Sequence, residues 1–249
     1  MASFSAESIF YIGSFPVTNT FLNTLLVDTL LISAIVFLKK HLSLVPNLLQ
    51  NGTEIVLTTF YDLTASVAES RTAKIFPYFM SFFFFILIAN WSALLPGVGT
   101  IGFFEHEGNT HKLIPLLRGA TSDINTTLAL ALISAFATHM LSVKTIGIKE
   151  YLGRYFSLNP INLFIGILEI ISEITKIISL SFRLFGNVFA GEVVLLTVST
   201  IFAFLFPLPF MMLEIVVGLV QALVFSMLTM AFMTILTTSH HESKEVSHR

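Results

Sequence analysis

The chain has 249 residues, 55% hydrophobic and 11% charged, against roughly 25% charged in an average soluble domain. With 26 phenylalanines and a mean hydropathy of +0.86, a soluble monomer of this length could not cover its surface with polar groups. Soluble globular, disordered, collagen-like and disulfide-scaffold classes are excluded; an all-α polytopic membrane protein remains. The absence of cysteine removes thiolate metal sites and thiol nucleophiles. A net charge of −2 gives no reason to expect nucleic acid.

In chain order, the segment Met1–Pro16 has no basic stretch, so a cleaved signal peptide is not expected. Apolar stretches follow at Phe21–Leu38, Ile75–Leu95, Ile124–Val143, Pro160–Thr197 and Pro207–Thr238. Each is near or above the ~20 residues that a helix needs to cross the hydrocarbon core. About five transmembrane helices are therefore expected. Between the first two, Pro46–Ser70 spaces Leu48, Leu49, Ile55, Val56, Phe60, Leu63 and Val67 among Asn47, Gln50, Glu54, Asp62 and Glu69. That is an amphipathic helix, either on the membrane surface and against the bundle or an ordinary connector.

The whole reads as one membrane domain, residues 1–249. It has an outer segment (1–20), peripheral helices (21–143), a long helix hairpin (160–239) and a cytoplasmic tail (240–249). Positive residues set the orientation. With the N-terminus outside, nine Lys and Arg fall on the inner side and only Lys112 and Arg118 on the outer. Lys176 and Arg183 lie within apolar sequence.

Those two share the fourth stretch with Glu169, Glu173, Asn187 and Glu192, and the fifth stretch holds Glu214 and Gln221. An ionisable group at mid-membrane costs from ~2.5 to over ~10 kcal/mol, so it faces water, a cavity or a partner. Arginine cannot escape by losing its proton. At ~100° per residue, Ser172, Lys176, Ser179, Arg183 and Asn187 fall within about 40° of one line, and Glu192 points to the opposite side. Glu214, Gly218 and Gln221 form a second stripe. A permanent cation with acids offset from it suits proton movement between separate aqueous pockets, the guanidinium acting as a barrier. Glu173 and Lys176 are equally explained by a local ion pair.

The last two stretches are also long, roughly 57 and 48 Å at 1.5 Å per residue. They are expected to form a steeply tilted antiparallel pair joined by the Phe202–Pro209 turn. Gly97, Gly99 and Gly102 match the spacing of a dinucleotide loop, but no strand–turn–helix frame surrounds them, so a turn is expected. Glu105, His106, Glu107 and His111 are read as an exposed titrating loop rather than a metal centre, and His139 as interfacial. No cofactor is expected.

The segment Ser179–Glu192, SLSFRLFGNVFAGE, resembles the signature of subunit a of F-type ATP synthases. Segments Asn90–Pro96 (NWSALLP), Ser122–Leu132 (SDINTTLALAL) and Gln221–Thr229 (QALVFSMLT) are similar to other parts of that family, in order. The resemblance implies a stator beside a ring of c subunits, with b subunits of the peripheral stalk, other synthase subunits and membrane lipid as neighbours. It implies that Arg183 faces the carboxylate of each passing c subunit. Asn187, Gln221, Ser179 and Glu192 match polar positions near it or along two half-channels, Glu169 an acid on the cytoplasmic side, and Glu214 a relay position. Asp123, Asn125 and Arg118 resemble the polar motif before the preceding helix. The implied setting is a bacterial plasma membrane. A secondary transporter with a midplane ion site is the rival, although the repeats typical of that class are not evident.

Overall fold

A computed structural model describes residues 6–95, 97–99, 101–107, 110–155, 160–201 and 206–238. The side chains of Glu105, His106, Glu107 and His111, residues 202–205 of the Phe202–Pro209 turn, and the tail from His240 to Arg249 lie outside the described residues.

The chain opens with a hairpin, β1 (Ser8–Ile12) and β2 (Phe15–Thr18), closed by the two residues Gly13 and Ser14. Gly13 takes φ +64°, the left-handed conformation such tight loops require. Helix α1 (Asn19–Lys40) follows, its first turn capped by the Thr18 hydroxyl accepting from the Phe21 amide. Helix α2 (Leu48–Ala68) occupies the amphipathic segment, with Thr64 and Ala68 buried near its end. A single 3-10 turn (Glu69–Arg71) leads from it into α3 (Thr72–Ser92).

Beyond α3, positive φ at Gly97 and Gly99 makes the expected turn, which leads into the hairpin β3 (Gly102–Glu107) and β4 (Thr110–Pro115). Then come α4 (Ile124–Ile146), the short α5 (Ile148–Tyr155), α6 (Pro160–Ile201) and α7 (Pro207–Thr237). Each of the five apolar stretches is thus a helix. Four segments are long and apolar enough to cross a membrane, with α2 and α3 counted as one: Asn19–Lys40, Leu48–Ser92, Ile124–Ile146 and Pro207–Thr237. Helix α6, with its five ionisable residues, is not among them but is the longest, 42 residues or roughly 63 Å.

Both hairpins depart from a purely helical reading. Each is two strands wide, too small to bury a face of its own, and neither closes into a sheet. Helices α3, α4, α6 and α7 share one apolar core, built on Phe82, Phe83, Ile86, Leu130, Leu184, Ala222 and Phe225. A second cluster, including Ile75, Phe79, Leu141, Met230 and Met233, continues it toward the other end of α7.

Polar side chains tie the helices where apolar burial gives little specificity. Ser134 and Thr229 hydroxyls lie 2.8 Å apart, those of Thr127 and Ser181 3.2 Å apart, and Ser142 donates to the Leu236 carbonyl at 2.6 Å. Helix α3 grips α7 most closely. Asn90 Nδ2 donates to the Gly218 carbonyl and Trp91 Nε1 to that of Ile215, each at 3.1 Å, while Thr121 donates to Asn90 Oδ1 at 2.8 Å.

A Cβ on Gly218 would lie 3.1 Å from Asn90 Cβ and 3.5 Å from the Trp91 ring. Gly218→Val should therefore separate α3 from α7, lowering stability by about 1–3 kcal/mol. Thermal unfolding of the detergent-purified protein checks this, with Gly218→Ala expected to have a smaller effect.

Candidate functional site: the α6–α7 seam

Helices α6 and α7 run antiparallel, because rising numbers on one meet falling numbers on the other. Lys176 Nζ lies 4.7 Å from the centre of the Phe232 ring. Asn187 Nδ2 donates to Gln221 Oε1 at 2.7 Å. Gly191 faces Glu214 so closely that a Cβ there would overlap the carboxylate. Three of the polar residues singled out from sequence, Asn187, Gln221 and Glu214, therefore sit on one contact line. The missing side chain at 191 is what lets the Glu214 carboxylate rest against the backbone of α6. Gln221 is 4% exposed, and its Nε2 has no hydrogen-bond partner among the described residues.

Arg183 stands apart. It is exposed, and its Nη2 reaches the Ser179 hydroxyl one turn earlier at 3.4 Å. No ion pair to it occurs among the described residues. Its surroundings are apolar and open: Phe182 is 57% and Ile178 49% exposed. The alternative of a structural charge locked to a carboxylate of its own chain has no support in this geometry. Among the described residues no carboxylate supplies this guanidinium with a counter-charge.

The acids of α6 are each paired elsewhere. Near one end, Glu192 Oε1 lies 3.7 Å from Nε of Arg118, a residue only 6% exposed at the approach to α4. Regular helix geometry sends Glu192 away from the Arg183 line, as expected from their nine-residue spacing. Toward the other end, Glu169 Oε1 is 3.2 Å from Arg154 Nε on α5. Glu173 Oε1 is 2.8 Å from Lys176 Nζ, so the local i,i+3 pair is present. The second carboxylate oxygen of Glu173 lies 3.7 Å from His139 Nε2.

Asp123 and Asn125 are not brought to the seam's ionisable groups. Asp123 is the N-cap of α4, accepting from the Asn125 amide at 3.1 Å and side chain at 3.3 Å, and from the Thr20 hydroxyl at 3.4 Å. That is the work of a helix cap, joined to the start of α1.

A family profile described as ATP synthase A chain matches residues 20–234. This chain belongs to the ATP synthase A chain family. Among similar proteins, the ATP synthase subunit a of Moorella thermoacetica is 29% identical over 232 residues, 93% of this chain and 96% of that protein. ATP synthase subunit a 1 of Hahella chejuensis is 34% identical over 222 residues, 89% of this chain and 85% of that one. The subunit a of Syntrophobacter fumaroxidans is 36% identical over 197 residues, 78% and 73% of the two chains.

In this A chain, three polar residues near the α6 acids escaped the reading of sequence: Arg154, His139 and Tyr151. Arg154 counted only toward the inner-side positive charge, and His139 only as interfacial. Their partners lie 15, 34 and 12 residues away, each on another helix. No local periodicity reports such pairs.

The Arg118–Glu192 contact joins a buried cation to a carboxylate whose side chain is one-third exposed. A double-mutant cycle of Arg118→Met and Glu192→Gln should give a coupling of about 1 kcal/mol, limited by solvent on the Glu192 side. Unfolding of the purified A chain measures it.

Proposed function

We propose that the chain is the stator that carries protons through the Fo sector of an F-type ATP synthase. Family membership makes it a membrane subunit of that complex, and its apolar helices make it multi-pass. The finer reading concerns what α6 and α7 do there. A proton enters one aqueous half-channel and neutralises a carboxylate on the rotor ring of c subunits, which then turns into lipid. After nearly a full turn it meets the second half-channel and is ionised again. Each charge that crosses 100 mV supplies ~2.3 kcal/mol, so several protons serve each ATP. Nucleotide chemistry belongs to other subunits.

The single observation that carries this reading is Arg183, exposed on an apolar face and without an ion-pair partner among the described residues. Such a group favours the ionised form of a passing carboxylate and repels a hydrated proton moving directly between the half-channels. Asn187 and Gln221, one turn from it, offer hydrogen bonds to the same carboxylate, and Ser179 steadies the guanidinium. Glu192 and Glu214 line one half-channel with Arg118 at its side. Glu169, Glu173 and Lys176 line the other. Asp123 and Asn125 shape the approach through the α4 cap. The exposed apolar sides of α6 and α7 face the ring, the hairpin 160–239 lies steeply tilted across it, and residues 21–143 with the peripheral-stalk b subunits sit behind. The whole chain acts as one membrane domain in a bacterial plasma membrane. Its N-terminus is outside, in accord with the distribution of Lys and Arg.

Replacing Arg183 by Ala should abolish ATP-driven proton pumping in inverted vesicles that hold the complete complex, and should leave a passive leak. Fluorescence quenching of a pH-sensitive dye reads both. Unchanged coupled pumping would sink the barrier role. Gly191→Ala, which must push the Glu214 carboxylate aside, should slow pumping severalfold while the complex still assembles.

A further inference from the structure

Around the inner end of α6 a second group of polar side chains converges. His139 projects from α4 between α5 and α6. Its Nδ1 lies 3.0 Å from the Tyr151 hydroxyl, and its Nε2 lies 3.7 Å from Glu173 Oε2, just beyond hydrogen-bond length. The two ring nitrogens thus meet two different elements. The His139 side chain is 29% exposed and that of Glu173 only 14%, so the imidazole stands between water and the less accessible carboxylate.

The other groups nearby are already committed. Lys176 holds Glu173 Oε1 at 2.8 Å and lies over Phe232. Arg154 pairs with Glu169 at 3.2 Å and donates to the Leu236 carbonyl at 3.4 Å. Tyr155 packs edge-on against Tyr151, and burial pushes its phenol well above the ordinary range, so it stays protonated. On α4 the remaining titratable residue is Lys144, in the last turn. Helix α7 offers no ionisable group beyond Glu214. Among these side chains the imidazole is the type that ordinarily gains and loses a proton near neutral pH.

Resting on the proton-carrying role given above to α6 and α7, we propose that His139 is a proton-relay residue of the inner half-channel, exchanging protons between inner water and Glu173. Tyr151 orients the ring. When its O–H donates to Nδ1, the ring proton sits on Nε2, facing Glu173. Uptake of a proton at Nδ1 gives the imidazolium, which Glu173 holds by charge. Release from Nε2 to the carboxylate forms one O–H bond and breaks one N–H bond, so a single proton has moved. Glu173 meets Lys176, and from there the line continues along one face of α6 through Ser179 to Arg183.

The test uses the complete complex in inverted vesicles, with ATP-driven acidification followed from about pH 6 to about pH 8.5, the range in which an imidazole changes charge. His139→Gln keeps a hydrogen bond to Tyr151 but cannot carry a proton. It should assemble, pump at least about threefold more slowly, and lose much of the pH dependence of the wild type. His139→Ala should be slow and should regain rate when imidazole is added to the buffer, which should leave the wild type unchanged. A wild-type rate and pH profile in His139→Gln would overturn the relay and reduce His139 to a packing residue. So would failure of imidazole to restore His139→Ala, or failure of both variants to assemble. Arg183→Ala serves as the parallel control. If it pumps normally, the stator reading itself fails, whatever the His139 variants do.

Discussion

An uncompensated guanidinium on an apolar helix face is the constraint around which the rest of this molecule is arranged. Arginine stays charged, so Arg183 cannot relieve its environment by titrating. A chain that merely tolerated such a charge would supply a carboxylate. The acids of the same helix each lie against another cation: Glu192 against Arg118, Glu169 against Arg154, and Glu173 against Lys176. Two of those cations, Arg118 and Arg154, come from outside the α6–α7 pair. None of these acids is spaced to meet Arg183, since nine or more residues along the helix put each roughly 13 Å or further from it.

The close approach of α6 and α7 has its own cause. Gly191 removes the one Cβ that would collide with Glu214, and the Asn187–Gln221 hydrogen bond at 2.7 Å fixes the register a turn away. One turn along α7, Gly218 admits Asn90 and Trp91 of α3, whose side chains donate to backbone carbonyls. A glycine on α6 and another on α7 thus let polar side chains of a neighbouring helix approach the backbone. In a bilayer such contacts give the specificity that apolar burial, equally satisfied by lipid, does not.

Much of this arrangement was legible in the chain. Apolar length marked five helical stretches, and 100° spacing placed Ser179, Arg183 and Asn187 on one line with Glu192 opposite. Those are local properties, and helix geometry carries them into space unchanged. Other features were not legible, for a physical reason. The pairing of Arg118 with Glu192 spans 74 residues and depends on where a turn between β4 and α4 comes to rest. The two hairpins are short strands whose alternation is too brief to stand out beside long apolar runs. Asp123, grouped from sequence with the half-channel residues, also caps α4, a contact that only its hydrogen bonds reveal.

The bracing of α7 also separates two kinds of ion-moving membrane protein. A transporter that alternates access must let one group of helices rock against another around a midplane site. Here α7 is fastened along its length: to α3 through Gly218 and Ile215, to α4 through Thr229 and Leu236, to α5 through Leu236, and to α6 through Gln221. Rocking would break hydrogen bonds to backbone carbonyls with no water on the apolar side to replace them. A bundle fastened in this way is suited to stay still. If protons are to cross in two separate steps past Arg183, the displacement must then be made by something that slides over the open face of α6. Under the function proposed above that is the role of a rotor, and it accords with Arg183 being the exposed charge of this helix that has no ion-pair partner among the described residues.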